Sequence, residues 1–150
     1  MRGREHLLDA ISRELTLISR HHLNTATTGV LERSAYLMLT RIDATGPMTA
    51  RELATALQLE ISTVTRQISA MLRENLVERI PDPGGGLARR LRITPTGDTR
   101  LTSDRERYRT GLGTVVQDWP DTDCVDLYRL LRTLNERIED LQGTPWPRGD

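Results

Sequence analysis

The chain has no phenylalanine, no lysine and one cysteine, Cys124, among its 150 residues. A single thiol cannot close an intrachain disulfide, and it excludes a cysteine-based zinc cluster. His6, His21 and His22 lack a helical i, i+4 pair aimed at one point, so no metal site is expected. No run of 18 apolar residues occurs, so no membrane-spanning helix is expected. The opening MRGREHLLDAISREL carries no long apolar stretch and no small-residue cleavage site. No secretory signal is therefore read, and a cytoplasmic location is expected. Net charge is also missing: 21 basic residues face 21 acidic ones. That removes the simplest electrostatic argument for a nucleic-acid partner. Every basic residue is arginine, which we read as the codon bias of a GC-rich genome. Catalytic signatures are absent too. There is no nucleophile elbow and no Gly-framed carboxylate pair, and Gly84-Gly85-Gly86 lacks the lysine and helix of a phosphate loop. No enzyme activity and no cofactor are expected.

What is present is organised. Residues 61–100 hold seven arginines and four acids, whereas residues 101–150 hold seven arginines and ten acids. The positive excess thus falls on one segment. Leu7, Leu8, Ile11, Leu15 and Ile18 recur at helical spacing and predict a first helix over about 4–22. The polar run His21–Gly29 predicts a loop. Tyr36, Leu37, Leu39 and Ile42 predict a second helix over about 31–44, stopped by Gly46-Pro47. Thr49-Ala50-Arg51-Glu52 reads as a capping box. It opens a short third helix packing Leu53, Ala54 and Leu57. Residues 58–60 allow only a turn before a fourth helix over about 61–74, with Val64, Ile68, Met71 and Leu72 inward. Asn75 stands where a left-handed helix end is expected.

Val77–Ile80 and Leu87–Ile93 read as strands of a hairpin turning at Asp82-Pro83-Gly84-Gly85-Gly86. Thr94-Pro95 opens a long helix to about Asp118. Within it Leu101, Tyr108, Leu112, Val115 and Trp119 form a stripe. A last helix follows Pro120. Its Cys124, Leu127, Leu131, Leu134, Ile138 and Leu141 are spaced 3, 4, 3, 4, 3, a seam for another helix. The tail over 142–150 is expected to be flexible.

Two helices joined by a tight turn, the second polar and arginine-bearing, form a helix-turn-helix pattern. Small groups at Ser62, Thr63 and Thr65 allow close approach to a major groove. Arg66 and Gln67 reach base edges, Ser69 shares the outer side, and Arg73 suits a phosphate. Taken alone, residues 61–74 read equally well as a solvated amphipathic helix. The basic hairpin that follows, with Arg89, Arg90 and Arg92, matches a wing laid along the backbone or in a minor groove. Helix, turn, helix and basic hairpin in succession point to double-stranded DNA.

At this point the chain resembles the MarR family of bacterial transcriptional regulators. The residues that carry the resemblance are Leu53-Ala54 to Leu57 and Ser62-Thr63-Val64-Thr65-Arg66. Leu72-Arg73-Glu74-Asn75-Leu76-Val77-Glu78-Arg79 and Asp82-Pro83 through Ile93-Thr94-Pro95-Thr96-Gly97 complete the match. The resemblance covers about residues 4–141. It implies a mainly α fold with a small β-hairpin wing: a winged helix-turn-helix at about 31–97, flanked by dimerisation helices at about 4–22 and 97–141. It further implies a homodimeric regulator, expected to be a repressor of a palindromic operator, and release by a small-molecule effector of unknown identity. The seam and the stripe independently supply apolar surface for a second copy. Leu7, Leu8, Ile11, Leu112, Val115, Trp119, Leu127, Leu131, Leu134 and Ile138 are the expected interface.

Three departures stand out. The family's wing carries Asp-x-Arg after Asp-Pro; here that place reads Gly85-Gly86-Leu87, so Arg89 or Arg90 would have to substitute. Asn75 replaces a usual glycine. Glu60 stands where Ser or Thr often caps the recognition helix. These departures keep open a second reading, an interaction module that has lost DNA binding. A third is a redox-sensing regulator using Cys124, against an inert thiol on the seam. His21-His22 lies near the expected effector pocket, or simply complements a helix dipole.

Overall fold

The computed structural model describes residues 2–21, 23 and 31–149. His22 and most of the expected loop lie outside the described residues. The order of elements is α1 (Arg2–Ile18), α2 (Arg33–Thr45), α3 (Ala50–Leu57), α4 (Ile61–Arg73), β1 (Val77–Ile80), β2 (Arg90–Ile93), α5 (Pro95–Val115) and α6 (Asp121–Gln142). The fold is mainly helical with one two-stranded antiparallel sheet, as the sequence led us to expect.

The core is built around α2. Ala35, Met38, Leu39 and Ile42 are buried at i, i+3, i+4 and i+7, one helical face. Against them pack Leu53 of α3, Val64, Ile68 and Met71 of α4, Val77 of β1, Leu91 of β2 and Leu101 of α5. α3 starts on the expected capping box. Thr49 Oγ1 accepts from Glu52 N–H at 3.1 Å, and Glu52 Oε2 accepts from Thr49 N–H at 3.0 Å. The turn to α4 passes through Gln58 with φ of 52°, a left-handed conformation at a residue that does not favour it. Asn75 adopts φ of 56°, the helix-ending geometry its short polar side chain tolerates.

The hairpin is shorter than its sequence suggests. The return strand begins at Arg90, with Ile80 opposite Arg90 and Val77 opposite Ile93. Residues 87–89 stay outside because Asp82 shapes the turn: its Oδ1 accepts from Gly84 N–H at 3.0 Å and its carbonyl from Gly85 N–H. A further pairing has no local signal in the sequence. Met48 and Leu91 exchange both backbone hydrogen bonds, so the residue just ahead of the α3 cap extends the sheet.

Thr94 caps α5 by accepting from Gly97 N–H at 3.0 Å. A Cβ on Gly97 would sit 2.0 Å from the Leu76 carbonyl oxygen. The clashing oxygen and its carbonyl carbon, 2.9 Å away, are backbone and cannot swing aside. Gly97→Ala is expected to separate α5 from β1 and cost about 3 kcal/mol. For a domain of this size that lowers Tm by about 10 °C. A wild-type melting curve would refute this packing.

α5 ends at Val115, earlier than the expected 118, because the chain turns through Trp119 N–H to the Val116 carbonyl ahead of Pro120. α6 then runs for 22 residues without one buried side chain. α1 is equally bare, with Leu7, Leu8, Ile11, Leu15 and Ile18 all exposed. The residues after α6, expected to be loose, fold back. Trp146 N–H and the Arg148 guanidinium both bind the Glu139 carboxylate, and Trp146 lies over Arg41 at 5.2 Å.

Arg148, then the Trp146 amide, hold the Glu139 carboxyl down at about 2, against an ordinary 4.5. A depressed carboxyl stabilises the contact above its unfolded value and loses that stabilisation as pH falls through the folded one. The strap is thus expected to stay closed above about pH 4.5 and to release as pH falls from there towards 2. A change in tryptophan emission across that window, absent in Arg148→Gln, is the check.

Candidate nucleic-acid interface

The inward row of α4, Val64, Ile68 and Met71, leaves Ser62, Arg66, Ser69 and Arg73 on the opposite line. Ser62, Thr65, Arg66 and Arg73 are exposed; Thr63 and Ser69 are half-buried at the flanks. Arg66 and Arg73 make no ion pair with any described residue, so both guanidinium groups are available to an outside anion. The Ser69 hydroxyl donates to the Thr65 carbonyl at 3.1 Å, which keeps that side chain folded against the helix. Gln67 stands apart. It lines a cavity of about 60 Å³ beside Leu31, Ala35 and Met71, turned towards α2 rather than along the arginine row.

Glu60 occupies the N-cap of α4 but makes no capping hydrogen bond. The first amides of the helix therefore remain open to an anion, and the helix dipole favours one there.

The wing divides its arginines by role. Arg90 donates from Nε to Asp82 Oδ1 at 3.1 Å, and from Nη1 to Glu52 Oε2 at 2.8 Å and to the Pro47 carbonyl at 3.2 Å. The same Glu52 oxygen closes the capping box of α3. Arg90 is thus a pin between the wing base and α3. Its amide neighbour Gly84, then Arg90, hold the Asp82 carboxyl below its usual range, and Asp82 followed by Glu52 raises the Arg90 guanidinium. Arg92 donates twice to Glu78 Oε1, across the strand pair, at 2.9 and 2.6 Å. Two of the three arginines expected to face DNA are therefore held by carboxylates of the protein. Arg89 is exposed with no partner among the described residues. Of the two candidates to replace the missing wing-tip arginine, only Arg89 is structurally available.

Sequence reasoning missed three features. Arg51 on α3 and Arg79 on β1 are exposed and unpaired among the described residues. Leu87 stands fully exposed at the turn, at 104 % of its reference area. An unpaired, exposed charge has no periodic signature, so pattern reading could not separate Arg79 from Arg92.

Arg89→Ala is expected to weaken DNA binding and to lower the slope of log K against log salt by about 1 per recognition unit. Arg90→Ala should instead lower Tm with little change in that slope, because its charge is already matched. Salt-series titrations of both variants distinguish the roles; equal slopes would contradict the division.

Known proteins resemble this arrangement. Residues 31–86 match the model of the MarR family. An uncharacterised HTH-type transcriptional regulator of Bacillus subtilis, YxaD, is 33% identical over 113 residues, 75% of this chain and 79% of that protein. A MarR family protein from Bacillus stearothermophilus superposes with a TM-score of 0.69 at 25% identity, covering 91% of this chain and 94% of the other. Streptococcus pneumoniae FabT, solved in complex with DNA, gives a TM-score of 0.66 at 15% identity over 93% and 98% of the two chains. With the helix-turn-helix, the wing and the long flanking helices in place, this chain belongs to the MarR family, whose members are transcriptional regulators rather than enzymes.

Proposed function

We propose that this protein is a cytoplasmic homodimeric repressor of a palindromic operator in double-stranded DNA, released by a small-molecule effector. The outward row of Ser62, Arg66 and Arg73, free of internal ion pairs, is the observation that carries DNA reading. Arg66 takes a base edge and Arg73 a phosphate. Arg89 takes the wing contact, with Leu87 beside it as an apolar tip able to press on a minor groove.

The bare surfaces of α1 and α6 support the dimer. An isolated 22-residue helix has little stability of its own in water, and most helical stability comes from a packed apolar face. Leu131, Leu134 and Ile138, exposed here on α6, acquire that packing only from a second copy. A two-fold pair sets its recognition helices about 34 Å apart, one turn of DNA.

Gel shifts with the region upstream of its own gene, across a salt series, test the reading. Binding at about 10⁻⁸ M or tighter, weakening steeply with salt, is expected. No shift at low salt would overturn it. A second reading is favoured by one observation: Arg90 and Arg92 are neutralised within the protein. On that reading the winged fold is an interaction module without DNA binding, and the same gel shifts separate the two.

A further inference from the structure

α5 is anchored in the winged body by Gly97, Leu101 and Asp104, all within its first three turns. It then runs out to the turn over residues 116–120, and α6 returns from there for 22 residues with no buried side chain. Joined to the body through that turn alone, α6 would act as a lever about 33 Å long. A swing of about 10° at the turn would carry its far end about 6 Å, close to two base steps of DNA.

The strap removes that freedom. Gly143, at φ of 69°, turns the chain off α6, and Thr144 N–H donates to the Glu139 carbonyl at 3.1 Å. Gly143, Thr144 and Pro145 then lie across a cleft from Arg41, Pro47 and Arg51, at the end of α2 and the start of α3. Glu139 fixes the strap to α6. Its Oε2 accepts from Trp146 N–H at 3.0 Å, and the Arg148 guanidinium donates to both carboxylate oxygens, at 2.7 and 2.5 Å. Both side chains of that ion pair are largely covered, so salt screens it less than an exposed pair. Trp146 fixes the strap to α2, with the Arg41 guanidinium 5.2 Å from its ring centre. Such a contact gains most where the cation is stripped of water. Nε and Nη1 of Arg41 are shielded from water and have no hydrogen-bond acceptor. α6 therefore cannot swing without parting Trp146 from Arg41 or peeling the strap from Glu139.

We propose that Trp146, Arg41, Glu139 and Arg148 are positioning residues for operator recognition: the strap braces α6 against α2 and so sets how far apart the dimer holds its recognition helices. The proposal rests on the reading of the protein as a homodimer on a two-part operator. α6 carries Leu131, Leu134 and Ile138, the seam for the second copy. α2 packs on α3 and α4, the helix-turn-helix. The strap ties one to the other at the end of α6 remote from the turn. A braced dimer accepts one half-site spacing. An unbraced one adapts to several and binds the best of them less tightly, because it is no longer preorganised.

The separation of the two copies tests the brace without DNA. Glu74 is exposed at the end of α4. A nitroxide on Glu74→Cys, in the full chain carrying Cys124→Ser, reports the distance between recognition helices by double electron–electron resonance. A narrow distribution is expected with the strap intact, and one at least twice as broad in Trp146→Ala and in Arg148→Gln. Trp146→Phe keeps a ring over Arg41 and should stay narrow. Arg148→Gln leaves Trp146 and Arg41 in place, so it tests the brace even if Trp146→Ala unfolds. The upstream DNA fragment supplies a second readout, one that a loss of stability alone would not move. Two base pairs inserted between its half-sites should weaken the native chain at least tenfold, and Trp146→Ala and Arg148→Gln less than threefold.

Distributions of equal width in the native chain, Trp146→Ala and Arg148→Gln overturn the proposal. So does a spacing preference unchanged in both variants. Absence of any coupling between copies, in every protein, removes the homodimer reading and the proposal with it. That result is distinct from a coupled pair indifferent to the strap, and neither depends on the gel shift.

Discussion

The double variant Leu131→Asp/Ile138→Asp is expected to sediment as a single chain. Both residues are exposed in one copy, at 42% and 41%, on the seam that repeats every three to four residues along α6. Covering them by a partner would require burying two carboxylates per chain, four per dimer. Each costs several kcal/mol unless it is paired. A total loss of about 4 kcal/mol already raises the dimer Kd about a thousandfold. The monomer should lose helical circular dichroism from α1 and α6 while the winged body, whose core lies elsewhere, still melts cooperatively. DNA binding should collapse as well, since each half-site is then held without its tethered twin. Sedimentation velocity decides. A double variant that remains dimeric would remove this seam from the interface.

Arg66→Ala is expected to have the second large effect. A bidentate arginine on a guanine edge contributes about 1–3 kcal/mol of discrimination. The proposed dimer would carry two such contacts, so operator affinity should fall by at least tenfold, with relaxed preference at one base pair per half-site. Arg73→Ala is the control. Its loss should be uniform across sequences and should flatten the salt dependence. Anisotropy titrations against the operator and its single-base variants measure both. A loss for Arg66→Ala that is equal on every sequence would move Arg66 from base reading to phosphate contact.

Much of this was legible without coordinates because the signals are local. The Thr49–Glu52 box closes within one helical turn, and its two hydrogen bonds involve residues three apart. Thr94-Pro95 starts a helix for the same reason. Asn75 ends one because its side chain tolerates positive φ. Inward rows such as Val64, Ile68 and Met71 follow from the helical period alone.

The wing is the least legible part of the sequence, and the cause is non-local. Arg90 looked like Arg89 and Arg92 as a letter in a string. What distinguishes it is Glu52, 38 residues away, and the Pro47 carbonyl, 43 away. Alternation placed Arg90 and Arg92 on one face of the strand. It did not reveal that carboxylates already stood there. Leu87 has strand character, yet the return strand begins only at Arg90. The Asp82 turn, acting through hydrogen bonds to Gly84 and Gly85, delays pairing to Arg90. The strap was misjudged because Pro and Gly suggest looseness, while Arg148 and Trp146 find Glu139 and Arg41 only in three dimensions.

By itself, the sequence determined the order of helices, the caps, the inward rows and the polar face of α4. All of these depend on interactions within a turn or two of the chain. Tertiary structure alone decided which arginines remain available to an outside anion. It also decided that α1 and α6 stand uncovered. Those outcomes depend on which distant carboxylate, ring or backbone reaches each charge first, and no period in the chain encodes that meeting.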